Sequence, residues 1–138
     1  MRSLGLDIGE RRVGVALSDP LGIHAYPVET LLDMDPKSLR AYVAEKMAEG
    51  IEEVVIGLPL TMRGKEGEQA VLVRKYAAAL RELPSLAVVL WDERLSTVEA
   101  TRRLREARSS LRSRKVDAEA ASLILQSYLD GKRKVEPD

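Results

Sequence analysis

Near its amino terminus the chain places an acid where an acid is costly. Leu4-Gly5-Leu6-Asp7-Ile8-Gly9 is an apolar run that delivers a carboxylate to its own end, and Arg12-Val13-Gly14-Val15-Ala16-Leu17 follows at once. This reads as a buried strand, a tight turn at Gly9 and Glu10, and a second strand. A link this short permits only antiparallel pairing. A carboxylate at the end of a buried strand needs compensation. Asp7 is therefore either a turn former, a common role for Asp, or a ligand for a cation, and the rest of the chain has to decide.

Pro20-Leu21-Gly22 reads as a second turn and residues 25–31 as a third strand, with Pro27 marking a sheet edge. The period then changes. Asp35-Pro36 reads as N-cap and first helical position. Leu39, Tyr42, Val43 and Met47 form an apolar stripe, and Gly50 supplies the stop. Val54-Val55-Ile56 is a short continuous apolar run, as in a strand covered on both faces. Its crossover from the first strand implies a parallel neighbour. Residues 57–68 form a polar loop with Gly57, Pro59, Gly64 and Gly67. A helix over 69–83 carries Val73, Tyr76, Ala77 and Leu80 on one face, and Pro84 ends it. Ala87-Val88-Val89-Leu90-Trp91 is a fifth strand, again fully apolar, that stops at Asp92-Glu93. Ser96-Thr97-Val98-Glu99 matches a capping box and opens a helix to about residue 108. The polar, basic segment 109–116 reads as a mobile connection. Asp117 opens the last helix, with Ala121, Ile124, Leu125 and Tyr128 as its stripe and Gly131 as its C-cap. The order is βββαβαβαα. It implies an α/β domain spanning 1–138, an antiparallel hairpin edge on a parallel core, with helices on both faces.

Composition narrows the chemistry. The chain has 138 residues, enough for one domain with a real core. No apolar run approaches the ~18 residues that span a bilayer, and no signal-peptide pattern opens the chain. The absence of cysteine excludes disulfides, a thiolate nucleophile and zinc–thiolate sites, and suits the cytosol. A lone histidine, His24, excludes a multi-histidine cage. Any chemistry must rest on carboxylates, hydroxyls, Lys or Arg. Net charge is zero, yet residues 101–115 hold Arg102, Arg103, Arg105, Arg108, Arg112, Arg114 and Lys115 against Glu106 alone. The tail adds Lys132, Arg133 and Lys134. Pairing at i,i+4 cannot neutralise such a run. It is either a solvated face or a polyanion-binding segment.

Two apolar strands end in acids, at Asp7 and at Asp92-Glu93. Open α/β sheets bind ligands at the carboxyl ends of parallel strands. If the first and fifth strands flank the Val54-Val55-Ile56 strand, their acids share one edge. Asp117 lies four residues before Ala121 and eight before Leu125, so it falls on the buried stripe of its helix. Three converging carboxylates repel one another, and divalent cations resolve that conflict. Oxygen-only ligands suit Mg²⁺ or Mn²⁺. A pair of such ions about 4 Å apart can drive phosphodiester hydrolysis. Each acid also has a plainer role. Asp7 can be a turn residue, Asp117 an N-cap, and Glu93 a surface partner of Arg94, worth little. Taken together on one edge, the metal reading is the stronger. Asp92 competes with Glu93, since alternation sends them to opposite faces and the sequence does not say which is inward. Arg12, close to Asp7, can hold a phosphate or neutralise the acid. The loop glycines can expose N–H groups to a phosphate, with Arg63 and Lys65 as further donors. His24 falls in a turn, and Trp91 reads as core.

Four motifs then carry a resemblance: D-I-G-x-x-R-V-G-V-A from Asp7, G-L-P-L-x-M-x-G from Gly57, D-E-R-L-S-T from Asp92, and D-x-x-A-A-x-x-I-L-Q-x-Y-L from Asp117. In this order they resemble the YqgF family, also called RuvX, among the RuvC-like resolvases of the ribonuclease H-like fold. The resemblance implies a five-stranded mixed sheet, three antiparallel strands then two parallel ones. It implies that Asp7, Glu93 and Asp117 are catalytic, metal-binding acids, with Glu93 rather than Asp92 in the site. It also implies a substrate class, since family members are named as pre-16S rRNA nucleases of 5′-end processing or as Holliday junction resolvases. Thr61 stands where the family usually has Asn. The combined reading is a cytoplasmic nuclease using Mg²⁺ or Mn²⁺, two ions, on structured RNA or branched DNA. Arg12, Thr61, Arg63, Lys65, Arg94, Arg112, Arg114 and Lys115 would bind the substrate. A non-cleaving rRNA-binding assembly factor is the alternative from another class. A nucleotide-binding domain of the actin and hexokinase type needs two such domains around a cleft. No membrane partner is implied, and monomer and homodimer both remain open.

Overall fold

Alternation along the first strand sends Leu4, Leu6 and Ile8 to one face and Gly5 and Asp7 to the other, and both faces are covered. The computed structural model describes residues 1–60, 63–95 and 110–135, and for 110–115 and 133–135 the backbone alone. β1 (Ser3–Ile8) is buried along its whole length. The Gly9 N–H donates to the Arg12 carbonyl at 2.9 Å and closes the turn into β2 (Arg12–Ser18). β2 pairs antiparallel with β1 and with β3 (Ala25–Leu32). The helix α1 (Pro36–Ala48) starts on a reciprocal cap, in which Asp35 accepts from the Ser38 N–H and Ser38 Oγ accepts from the Asp35 N–H. β4 (Glu53–Leu58) returns parallel to β1. The helix α2 (Glu68–Leu80) then leads to β5 (Ala87–Asp92), parallel to β4. A short 3-10 turn (Glu93–Leu95) ends this part, and α3 (Ser110–Val135) is the last element. The sheet order is β3-β2-β1-β4-β5. Pro27 lies on an outer strand, and β1 and β5 flank β4, so the acids at their ends share one edge of the sheet.

The two faces carry separate cores. α1 and α2 cover Leu4, Leu6, Ile8, Val13, Val15, Val54 and Ile56 with the anticipated stripes, including Leu39, Val43, Val73, Tyr76 and Leu80. α3 covers Ala16 and Val55 with Ala120, Ala121, Ile124, Leu125 and Leu129.

β5 is half-buried, because it is an outer strand of the sheet. Its apolar run is shared between the two cores, Val88 and Leu90 to one and Val89 and Trp91 to the other. α3 does not begin at Asp117. It begins at Ser110, and Leu, Arg and Lys, all good helix formers, carry it through 111–115. Nor does Gly131 end it, since α3 continues to Val135. Gly131 serves packing instead: a Cβ there would stand 3.1 Å from the Trp91 ring. The helix anticipated over 96–108 lies outside the described residues.

α3 lies unusually close to the sheet because the strand positions beneath it lack side chains. A Cβ on Gly5 would stand 2.8 Å from Leu125 Cβ, and one on Gly14 only 1.9 Å from the Asp117 carbonyl oxygen. Backbone cannot yield as a flexible side chain does, so Gly14→Ala must lift α3. The expected result is a loss of about 3 kcal/mol of unfolding free energy or more, measured by denaturant titration. An unchanged midpoint would contradict the close approach.

Candidate functional site

The site is built on one row across the sheet. Asp7 on β1 pairs with Gly14 on β2. Leu6 pairs with Ile56 on β4, so Gly57 follows beside Asp7, and Gly57 pairs in turn with Trp91 on β5. Each flanking glycine sits beneath another acid. α3 carries Asp117 over Gly14, and the Glu93 carboxyl lies over Gly57, its Oε1 2.7 Å from where a Cβ would be. Asp7 falls between them. All three acids are buried, with Asp7 2%, Glu93 3% and Asp117 1% exposed. The plain role for Asp117 disappears, since a residue inside α3 is not an N-cap. Asp7 likewise belongs to the strand ladder, and the turn is closed by Gly9 and Arg12.

The neighbouring charges sort themselves. Asp92 turns away from the row to Arg94, accepting from its backbone N–H at 2.9 Å and from its guanidinium at 2.7 Å. The side-chain hydrogen bond from Arg94 holds the Asp92 carboxyl below its ordinary range, and the same bond raises Arg94. Arg94 is thus committed to Asp92, and Glu93 is the acid that turns inward. Arg12 Nε lies 3.0 Å from Asp117 Oδ2, with about a third of the Arg12 side chain (32%) exposed. It therefore neutralises an acid while still facing solvent.

The loop after β4 is tied back on itself, Leu60 bridging to Glu66, with Gly64 in the left-handed region at φ +79°. The guanidinium of Arg94 rests against Gly64, 3.4 Å from where its Cβ would be. Arg63 and Lys65 are exposed on this loop. Thr61 lies outside the described residues, and so do the side chains of Arg112, Arg114 and Lys115, whose backbone forms the first turns of α3. His24 is exposed, and Trp91 packs edge-on to Tyr128 with centroids 5.4 Å apart.

Two polar residues were not singled out by sequence reasoning. Gln69, in the first turn of α2, donates from Nε2 to the Ile8 carbonyl at 2.7 Å and so holds the strand end beyond Asp7. Glu53 is buried at the opposite end of β4, where Ser3 and Tyr128 hydroxyls each donate to it at 2.7 Å. Strand alternation could have flagged Glu53, which shares a face with Val55 and Gly57. Nothing in the sequence points from Gln69 to Ile8.

The donor set, three buried carboxylates with no sulfur or imidazole among them, has the chemistry of a hard divalent cation's ligands. The lack of a side chain at Gly57 gives the Glu93 carboxyl its place in the row. Among the described residues no three His, Cys, Asp or Glu side chains stand as a ready-formed metal cage. The acids lie as a row with Arg12 at one end.

The fold is that of the RuvC-like resolvases within the ribonuclease H-like class. T. thermophilus RuvC in complex with Holliday junction substrate has a TM-score of 0.60 at 16% identity, over 96% of each chain. The fowlpox virus Holliday junction resolvase gives 0.53 at 14% identity, over 95% of this chain and 99% of that one. By sequence, a Geobacillus kaustophilus protein named "Putative pre-16S rRNA nuclease" is 47% identical, across 96% of this chain and 100% of its own length. A Myxococcus xanthus protein of the same name is 44% identical, across 100% of this chain and 93% of its own. The chain belongs to the RuvX family, whose model, described as Holliday junction resolvase, matches residues 1–131.

Like charges buried in one row work against folding. In chelator, Asp7→Asn is expected to raise the unfolding midpoint, because it takes one like charge out of the row. Thermal unfolding in EDTA measures this, and a less stable variant would show that Asp7 is compensated within the protein.

Proposed function

We propose that this chain is a divalent-metal-dependent nuclease that hydrolyses phosphodiester bonds in the precursor of 16S rRNA during 5′-end processing, in the cytoplasm. The carrying observation is the row of buried acids, Asp117 over Gly14, Asp7, and Glu93 over Gly57, in a member of the RuvX family. Asp7, central in the row, would be shared by two Mg²⁺ or Mn²⁺ ions, with Glu93 and Asp117 each holding one. The chemistry such ions supply is activation of water and neutralisation of the leaving oxygen. The chain's own part is to hold the acids in place. Arg12 pairs with Asp117 and presents its solvent-facing edge to a backbone phosphate. The tethered loop offers Arg63 and Lys65 beside the row. Arg112, Arg114 and Lys115, with the rest of the basic segment, would add attraction for a polyanion without sequence preference.

A second reading is cleavage of four-way DNA junctions. It is favoured by the description of the matching family and by the junction bound to T. thermophilus RuvC. Among the described residues no helix is long and apolar enough to cross a membrane. No membrane surface enters either reading.

Side-by-side cleavage of rRNA precursor and junction DNA in Mg²⁺ and Mn²⁺ separates these. Asp7→Asn and Glu93→Gln should each lower cleavage beyond the ~10–100-fold typical of losing a mere ligand-orienting neighbour. Asp92→Asn should stay within a few fold of the wild type. Tight binding that survives Asp7→Asn, with no turnover in the wild type, would replace the enzyme by a binding factor. A second expectation concerns salt. Affinity should fall steeply between about 50 and 200 mM salt, as for proteins that contact several phosphates, in fluorescence anisotropy. A flat salt dependence would remove the basic segment from the interface.

A further inference from the structure

One hydroxyl grips both flanks of Glu93. Ser127 lies on α3, and its Oγ accepts from the Trp91 indole N–H at 3.0 Å. The same oxygen donates its proton to the Leu95 carbonyl at 2.9 Å. Trp91 stands two residues before Glu93 and Leu95 two residues after it. The segment from the end of β5 through the 3-10 turn is therefore pinned at both ends to one side chain. A serine in a helix often returns its proton to a carbonyl of its own preceding turn, but this one reaches across to another element.

The Trp91 ring has other support, an edge contact from Tyr128 and the flat surface of Gly131. The 3-10 turn is short and Leu95 itself is 60% exposed, so packing alone holds this end of the segment weakly. The hydroxyl thus matters more to the turn that aims Glu93 than to the ring beside it. α3 also carries Asp117, ten residues earlier and about 15 Å along the helix. One rigid element then sets two of the three acids, Asp117 through its own backbone and Glu93 through Ser127.

We infer that Ser127 is a positioning residue that fixes Glu93 over Gly57 for cation binding. The inference rests on the reading of Glu93 as a metal ligand. It assigns Ser127 no contact with substrate or with the ion.

The test is calorimetric titration of the full chain with MnCl₂, comparing wild type with Ser127→Ala, Ser127→Thr and Asp7→Asn. Loss of a group that orients a ligand typically costs ~10–100-fold in metal affinity, and Ser127→Ala should weaken Mn²⁺ by about tenfold. Ser127→Thr keeps the hydroxyl and should recover most of that loss. In cleavage assays the KM for nucleic acid should stay within about twofold while the Mn²⁺ requirement rises in step with the calorimetric change. A structural role alone would lower the unfolding midpoint and leave the Mn²⁺ affinity untouched, and that result overturns the inference. So does a Ser127→Thr variant as weak as Ser127→Ala. If Ser127→Ala does not fold, Ser127→Cys takes its place, keeping the size of the side chain with a weaker donor toward the Leu95 carbonyl. It should weaken Mn²⁺ by several fold, and wild-type affinity there likewise overturns the inference. Wild type and Asp7→Asn giving the same absence of heat would instead defeat the metal reading itself, and the inference with it.

Discussion

The arrangement depends on how closely one helix backbone can approach a sheet. α3 crosses β2, β1 and β4 over positions with little or no side chain, namely Gly14, Ala16, Gly5 and Gly57. At Gly14 the approach is backbone against strand. This contact brings Asp117 down to the level of Asp7. A larger residue at Gly14 would raise the helix, and at Gly57 it would take the space that Glu93 fills. The glycines also explain how a carboxylate reaches a place where apolar packing would otherwise close. The hydrophobic effect holds the layers together, but the small residues decide what those layers enclose.

Much of this was legible in the sequence. The βββαβαβ order, the antiparallel pairing of the first strands and the parallel core follow from turn lengths and the change of period at Asp35-Pro36. The inward face of Asp117 follows from its spacing to Ala121 and Leu125. The residues alone left Asp92 and Glu93 undecided. Alternation predicts opposite faces but cannot choose between them, and the choice is made by Arg94, which folds back onto Asp92. Helix ends were harder. Asp117 and Gly131 look like a cap at each end of a helix that in fact extends past both. The good helix formers of 111–115 carry the helix past Asp117, and Gly131 packs on Trp91 instead of capping. The tie between Gln69 and Ile8 left no mark in the sequence, because it joins residues from two layers through an amide and a carbonyl.

The charges around the row are asymmetric in a way that suits a polyanion. Arg12 serves one end directly. At the other end Arg94 is paired with Asp92 and rests against Gly64, on the loop where Arg63 and Lys65 are also exposed. Positive charge thus rims the acids without entering the row. A phosphate could approach from the rim while the acids stay buried.

The Gln69 bond carries a consequence for how the molecule comes apart. Ile8 is held from α2 on one side of the sheet, and Gly14, the β2 partner of its neighbour Asp7, lies under Asp117 of α3 on the other. The end of the β1–β2 pair is thus the place that both helical layers grip. Neither layer can detach alone without disturbing that strand end. Opening of either layer should therefore dismantle the acid row as a unit, and partly unfolded forms that keep an intact row should be absent from the native ensemble.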